Sequence, residues 1–269
     1  MAVRWLRLFS ALVFFGLLSC QALTAEEARQ ALEEVTLSSQ ALSLASGSVE
    51  IATDFTIGDA VEAAAEEVRE FIETQLPCAE VTLTGATLSI VYGALPGDCF
   101  YNGRRYKGMH TITIVSAAVG KLEVHHEWTN LENNQVSVSG TADVTWSSAD
   151  SSRHVVHELT WKELPGGETV VGGGDRTQTV LQGGLLEGIR VDGNRDWTSE
   201  SGDWDLEINA VEARWIDPVP QSGSYTLDTP FNKTVEMSFS RVDEDTIEVT
   251  VGSGRQSFSF NVSKSGMIT

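Results

Sequence analysis

The sequence predicts a mainly β protein, a large antiparallel meander with two N-terminal helices packed on it. Three features carry this expectation. Apolar residues recur at helical spacing between residues 24 and 76, they alternate at a spacing of two from Cys78 onward, and clusters of Gly, Asn, Asp and Ser punctuate the alternating part. A sandwich, an open curved sheet and a barrel all satisfy this pattern.

At the N-terminus, Arg4 and Arg7 precede an apolar run from Leu8 to Leu18. The run is shorter than the roughly 20 apolar residues a spanning helix needs, and its layout is that of a signal peptide. It ends in Leu17-Leu18-Ser19-Cys20, which resembles the lipobox of bacterial lipoproteins. The resemblance implies cleavage after residue 19 and a lipid on Cys20. The expected organisation is therefore a signal peptide over 1–19, a helical segment over 20–77 and an antiparallel β domain over 78–269.

Within the helical segment, Thr24 and Glu27 have the spacing of a capping box, in which hydroxyl and carboxylate satisfy each other's orphan amides. The first helix is expected to run to about Ala45 and to end at Gly47. A second is expected over Ile57 to Leu76, with Ile57, Ala60, Val61, Ala64, Val68, Phe71 and Ile72 on one face and Pro77 as its stop.

Period two begins after Cys78. Val136, Val138, Ala142, Val144 and Trp146 alternate with Ser137, Ser139, Thr141, Asp143 and Thr145, a strand with one dry and one wet face. Facing residues share a side of the sheet. This places Leu131 opposite Gln135, Phe239 opposite Val249, and Val249 opposite Phe258, giving three consecutive-strand hairpins. Gly172-Gly173-Gly174 and Asp217-Pro218-Val219-Pro220 read as loops.

There are three cysteines. With Cys20 lipidated, Cys78 and Cys99 remain to form a disulfide in an oxidising compartment, worth about 3 kcal/mol by loop closure. The formal charge of −20 becomes −22 once Arg4 and Arg7 are removed with the signal peptide. So acidic a chain repels nucleic acid and anionic headgroups, stays soluble and attracts cations.

Motifs that carry chemistry are scarce. His126-Glu127 and His157-Glu158 begin like a zinc-protease motif, but Asn130 and Trp161 stand where its second histidine belongs. In the assumed register His126 and His157 lie roughly 16 Å apart, too far to share zinc. Asp192, Asn194 and Asp196, with Asp203 further on, resemble the opening of a calcium loop, although Trp197 replaces its glycine and a polar hairpin loop is the simpler reading. The chain has no Gly-x-Ser-x-Gly elbow, Walker loop or dinucleotide fingerprint, and the sequence calls for no cofactor. Trp128, Trp146, Trp161 and Trp215 read as core, and the first three would line the cavity of an apolar-ligand carrier.

Thr56-Ile57-Gly58, Gly97-Asp98-Cys99-Phe100-Tyr101-Asn102-Gly103 and Asp217-Pro218-Val219-Pro220-Gln221-Ser222-Gly223 resemble segments of cell-envelope lipoproteins from predatory and social Gram-negative bacteria of myxobacterial type. The resemblance covers most of the mature chain and implies no particular activity. The functional expectation is a non-enzymatic binding or structural lipoprotein of the bacterial envelope. It would be held by lipid to the inner or outer membrane, on a periplasmic or surface face, with an envelope protein or apolar ligand as partner. The alternatives are a periplasmic carrier of lipid or another apolar ligand, and an enzyme of unknown type.

Overall fold

A computed structural model describes residues 22–51, 61–101, 104–118, 120–184, 187–214 and 216–269. Two helices, α1 (Ala25–Ile51) and α2 (Val61–Gln75), precede fifteen strands among the described residues. The strands are β1 (Ala79–Thr84), β2 (Thr87–Tyr92), β3 (Phe100–Tyr101), β4 (Arg104–Arg105), β5 (Lys107–Ala118), β6 (Lys121–Glu132), β7 (Val136–Ser147) and β8 (Ser152–Glu163). They continue as β9 (Thr169–Val180), β10 (Gly188–Ser199), β11 (Gly202–Arg214), β12 (Ser222–Thr229), β13 (Lys233–Asp243), β14 (Thr246–Ser253) and β15 (Gln256–Ser263).

Thirteen of the strands form one antiparallel sheet in chain order, and β3 pairs with β4 as a separate ribbon. β1 and β15 lie at opposite edges, so the sheet is open rather than closed into a barrel. One core runs from α1 and α2 through the inward residues of β1 to β12. A smaller cluster of Phe239, Ile247, Val249 and Val262 serves the last three strands.

The expected cap is present. The Thr24 amide donates to Glu27 Oε2 at 2.7 Å, and the Glu27 amide donates to Thr24 Oγ1 at 3.3 Å. α1 does not end at Gly47, however. A Cβ at that position would lie 2.6 Å from Tyr106 Oη and 2.8 Å from an Arg104 guanidinium nitrogen, so the glycine serves close packing rather than termination. α2 ends at Gln75, one residue short of the expected Leu76 and two before Pro77. Cys78 and Cys99 are joined by a disulfide, and residues 52–60, where the second helix was expected to start, lie outside the described residues.

The three hairpins form, with registers that differ instructively. Phe239 faces Val249 as expected. Val249 faces Phe260 instead of Phe258, and the β6–β7 pairing runs Val124 to Val144 and His126 to Ala142. Both of the latter are two residues away from the expected pairing, which preserves the face of every side chain up to the bulge between Trp128 and Leu131. Burial of one face tolerates a slip of two and forbids a slip of one.

Two expected loops are strands. Gly172-Gly173-Gly174 lies within β9, and Asp192 to Asp196 lies within β10. The glycines belong there because their neighbours are large. A Cβ at Gly172 would come within 2.7 Å of both Trp161 and Trp197, and one at Gly174 within 2.6 Å of His157 Cε1.

Candidate functional site

The face of the sheet under α1 combines apolar packing with unusual charge. Arg153 on β8, Arg176 on β9 and Arg195 on β10 sit on a diagonal. The register pairs Arg153 with Gln178, Arg176 with Gly193 and Arg195 with Gly174, so each arginine lies one strand over and two residues along from the last. Their inward direction follows from alternation with the buried Val155, Leu159, Val170 and Trp197 on the same strands.

α1 meets this diagonal with serines two turns apart. The Arg176 guanidinium donates to Ser46 Oγ at 3.0 Å and the Arg195 guanidinium to Ser39 Oγ at 3.1 Å. Ser48 accepts from the Trp128 indole nitrogen at 2.8 Å further along the helix. Small residues Ala41, Ala45 and Ser48 are buried along α1, which lets the helix approach the sheet closely.

Among the described residues no carboxylate pairs with Arg176 or Arg195. The Nε of each is buried without a hydrogen-bond partner, as is Nδ1 of His157, which lies across Gly174 from Arg195. Burial, with Arg153 and Arg195 adding repulsion, lowers Arg176 to about 10, and burial lowers Arg195 to about 10. Both stay charged at neutral pH. Burial, then Arg176 and Arg195, pushes His157 down to about 4, so its ring is neutral there. Arg195 also stands 5.7 Å above the Trp197 ring, a cation–π contact.

Buried charge of one sign is costly unless something compensates it. Among the described residues, Ser39, Ser46 and the Trp197 face supply partial compensation for Arg176 and Arg195. Guanidinium forks and a neutral imidazole match the oxygens of a carboxylate or phosphate, which is the chemistry this surface offers. The enclosed space beside Ser46, Val49, Arg153, His157 and Arg176 is only about 20 Å³, enough for one water. A larger anion must therefore reach the guanidinia from their solvent side, and both arginines are partly exposed.

The other residues singled out from the sequence fall elsewhere. Trp128 and Trp161 are buried to 2% and 4% exposure and Trp146 is partly buried. Trp128 stacks with His110 and His126 at 5.3 and 5.8 Å. Trp197 and Trp204 are buried and stack at 6.0 Å. Trp215 and Cys20 lie outside the described residues.

His126 and His157 both face Ala142, so they are two strands apart in a straight row, about 10 Å rather than 16 Å. His126 instead bonds His110, Nδ1 to Nε2 at 2.9 Å. The calcium candidates do not converge. Asp192, Asn194 and Asp196 point outward along β10, and the first and last are roughly 14 Å apart by strand rise. Asp192 bonds Arg190 and the Ala210 amide, while Asp203 accepts from Thr198. No group of three metal-ligating side chains occurs among the described residues.

Sequence reasoning missed the arginines, although a signal was present. Arg153 shares the odd positions of Val155, His157, Leu159 and Trp161, and Arg195 those of Val191 and Trp197. Charged residues at dry positions mark a buried polar site. Taking the glycines of β9 for a loop hid the strand that joins them. Comparison with protein-family models, curated proteins and solved structures returned no match.

Proposed function

We propose that this protein is a non-enzymatic lipoprotein of the bacterial envelope whose helix-covered sheet face binds an anionic ligand. The observation behind this reading is the Arg176–Arg195 pair, held inward beside His157 with no carboxylate partner among the described residues. The envelope address rests on the signal-peptide and lipobox pattern ending at Cys20. Net negative charge opposes an approaching anion at long range, but within a Debye length of about 8 Å the local guanidinia dominate.

Carboxylate and phosphate compounds, titrated against thermal unfolding, test this directly. A compound that binds only the folded state raises the melting temperature by mass action. The rise is expected for the unaltered chain and is expected to disappear in the Arg176→Gln, Arg195→Gln double variant. No rise with any anion, or an equal rise in the double variant, would refute the proposal.

A further inference from the structure

The cross-strand row that contains Arg176 continues away from α1 as an apolar lane. Gly193 faces Arg176, Ile208 faces Gly193, and Tyr225 faces Ile208. Met237, Val251 and Phe258 then follow on β13, β14 and β15. Residues paired in this way share a face, so the lane leads from the arginines to the sheet edge without changing sides. From Tyr225 to Phe258 it crosses three strand spacings, about 14 Å.

Exposure changes along the row. Ile208 is buried, Tyr225, Met237 and Val251 are partly exposed, and Phe258 is 62% exposed. Phe260 stacks beside Phe258 at 6.1 Å. Burial raises Tyr225 above its ordinary value, and the nearby Arg195 charge opposes that rise, so the cationic end lies close to the start of the lane. The start of α1 passes to one side, where the Leu23 amide bonds Ser253 and Lys233 bonds Glu27.

We propose that the anionic ligand is an amphiphile, with its carboxylate or phosphate on Arg176 and Arg195 and its acyl chain along Tyr225, Met237, Val251 and Phe258. This rests on the anion-binding reading and adds the chain. Charge complementarity fixes the head, and the partly exposed aromatic and aliphatic row beside it is what an acyl chain would cover.

Calorimetric titration of the Cys20→Ser chain with laurate, below its micelle concentration, and with butyrate separates the two parts. The head groups are identical and only the chains differ. Laurate is expected to bind at least tenfold more tightly. Phe258→Ser and Met237→Ser should each weaken laurate about fivefold and leave butyrate unchanged, while Arg195→Gln should weaken both. Equal affinity for the two acids would overturn the amphiphile proposal and leave the anion site standing. Laurate binding indifferent to Phe258→Ser and Met237→Ser would overturn the lane. Should Phe258→Ser instead dissociate an oligomer without affecting laurate, the row is a contact between copies and the proposal fails. Failure of both acids, together with inorganic phosphate, to bind would remove the anion reading itself.

Discussion

Two pairs of arginines in the same sheet are treated in opposite ways. Arg214 and Arg241 converge on Asp217, a loop carboxylate whose side chain is only 2% exposed, with Glu244 close to Arg214. Arg176 and Arg195 meet two serines and an indole face. The first arrangement balances its charge internally and holds the β11–β12 connection onto β13. Among the described residues the second has no carboxylate partner, at a surface that solvent can reach. On the proposed reading, the first pair is structural and the second is available to a ligand.

The sharpest way to test that contrast is to remove the balancing charge. Asp217→Asn leaves two arginines around a buried neutral group and is expected to cost about 3–5 kcal/mol, read by urea unfolding. A cost near zero would mean that the pairing is not what distinguishes the two sites.

Acid probes the other pair through its histidine. Burial holds His157 at about 4 and His110 at about 3 in the folded chain, and both have an unfolded value near 6.5. The unfolded chain therefore takes up the proton first. Stability should be full above pH 6.5 and fall as pH drops toward those folded values, by roughly 1.4 kcal/mol per pH unit for each histidine. Urea midpoints between pH 7.5 and 4.5 check the slope, and His157→Gln should remove one histidine's share.

Smaller effects of opposite sign come from Arg176, Arg195 and their serines. Arg176→Met, which fills the space without a charge, is expected to stabilise the ligand-free chain by about 1–2 kcal/mol while abolishing anion binding. Ser46→Ala removes an acceptor from a charged donor and should cost about 1 kcal/mol. If Arg176→Met were destabilising by as much as Asp217→Asn, the two arginine pairs would be equivalent after all.

Much of this could be read locally. The capping box of Thr24 and Glu27, the Pro77 stop, the pairing of Cys78 with Cys99 and the inward face of each long strand depend on neighbours in sequence or on parity. Parity survived even where register did not, because a shift of two residues keeps Val124, His126 and Trp128 inward while a shift of one would expose them.

What the sequence by itself determined was the class of fold and the inward face of strands such as β6, β7 and β13. Only the tertiary structure decided that the sheet stays open, that Gly47 is a packing residue, and that Gly172, Gly173 and Gly174 belong to a strand. It also decided that, among the described residues, Arg176 and Arg195 bond serines rather than carboxylates. The reason is physical. Propensity, capping and alternation act over a few residues, whereas a missing Cβ or counter-charge has meaning only against the element packed across from it. For Gly174 those elements are β8 and β10, which carry His157 and Arg195, and for Arg176 it is a helix some 130 residues earlier in the chain.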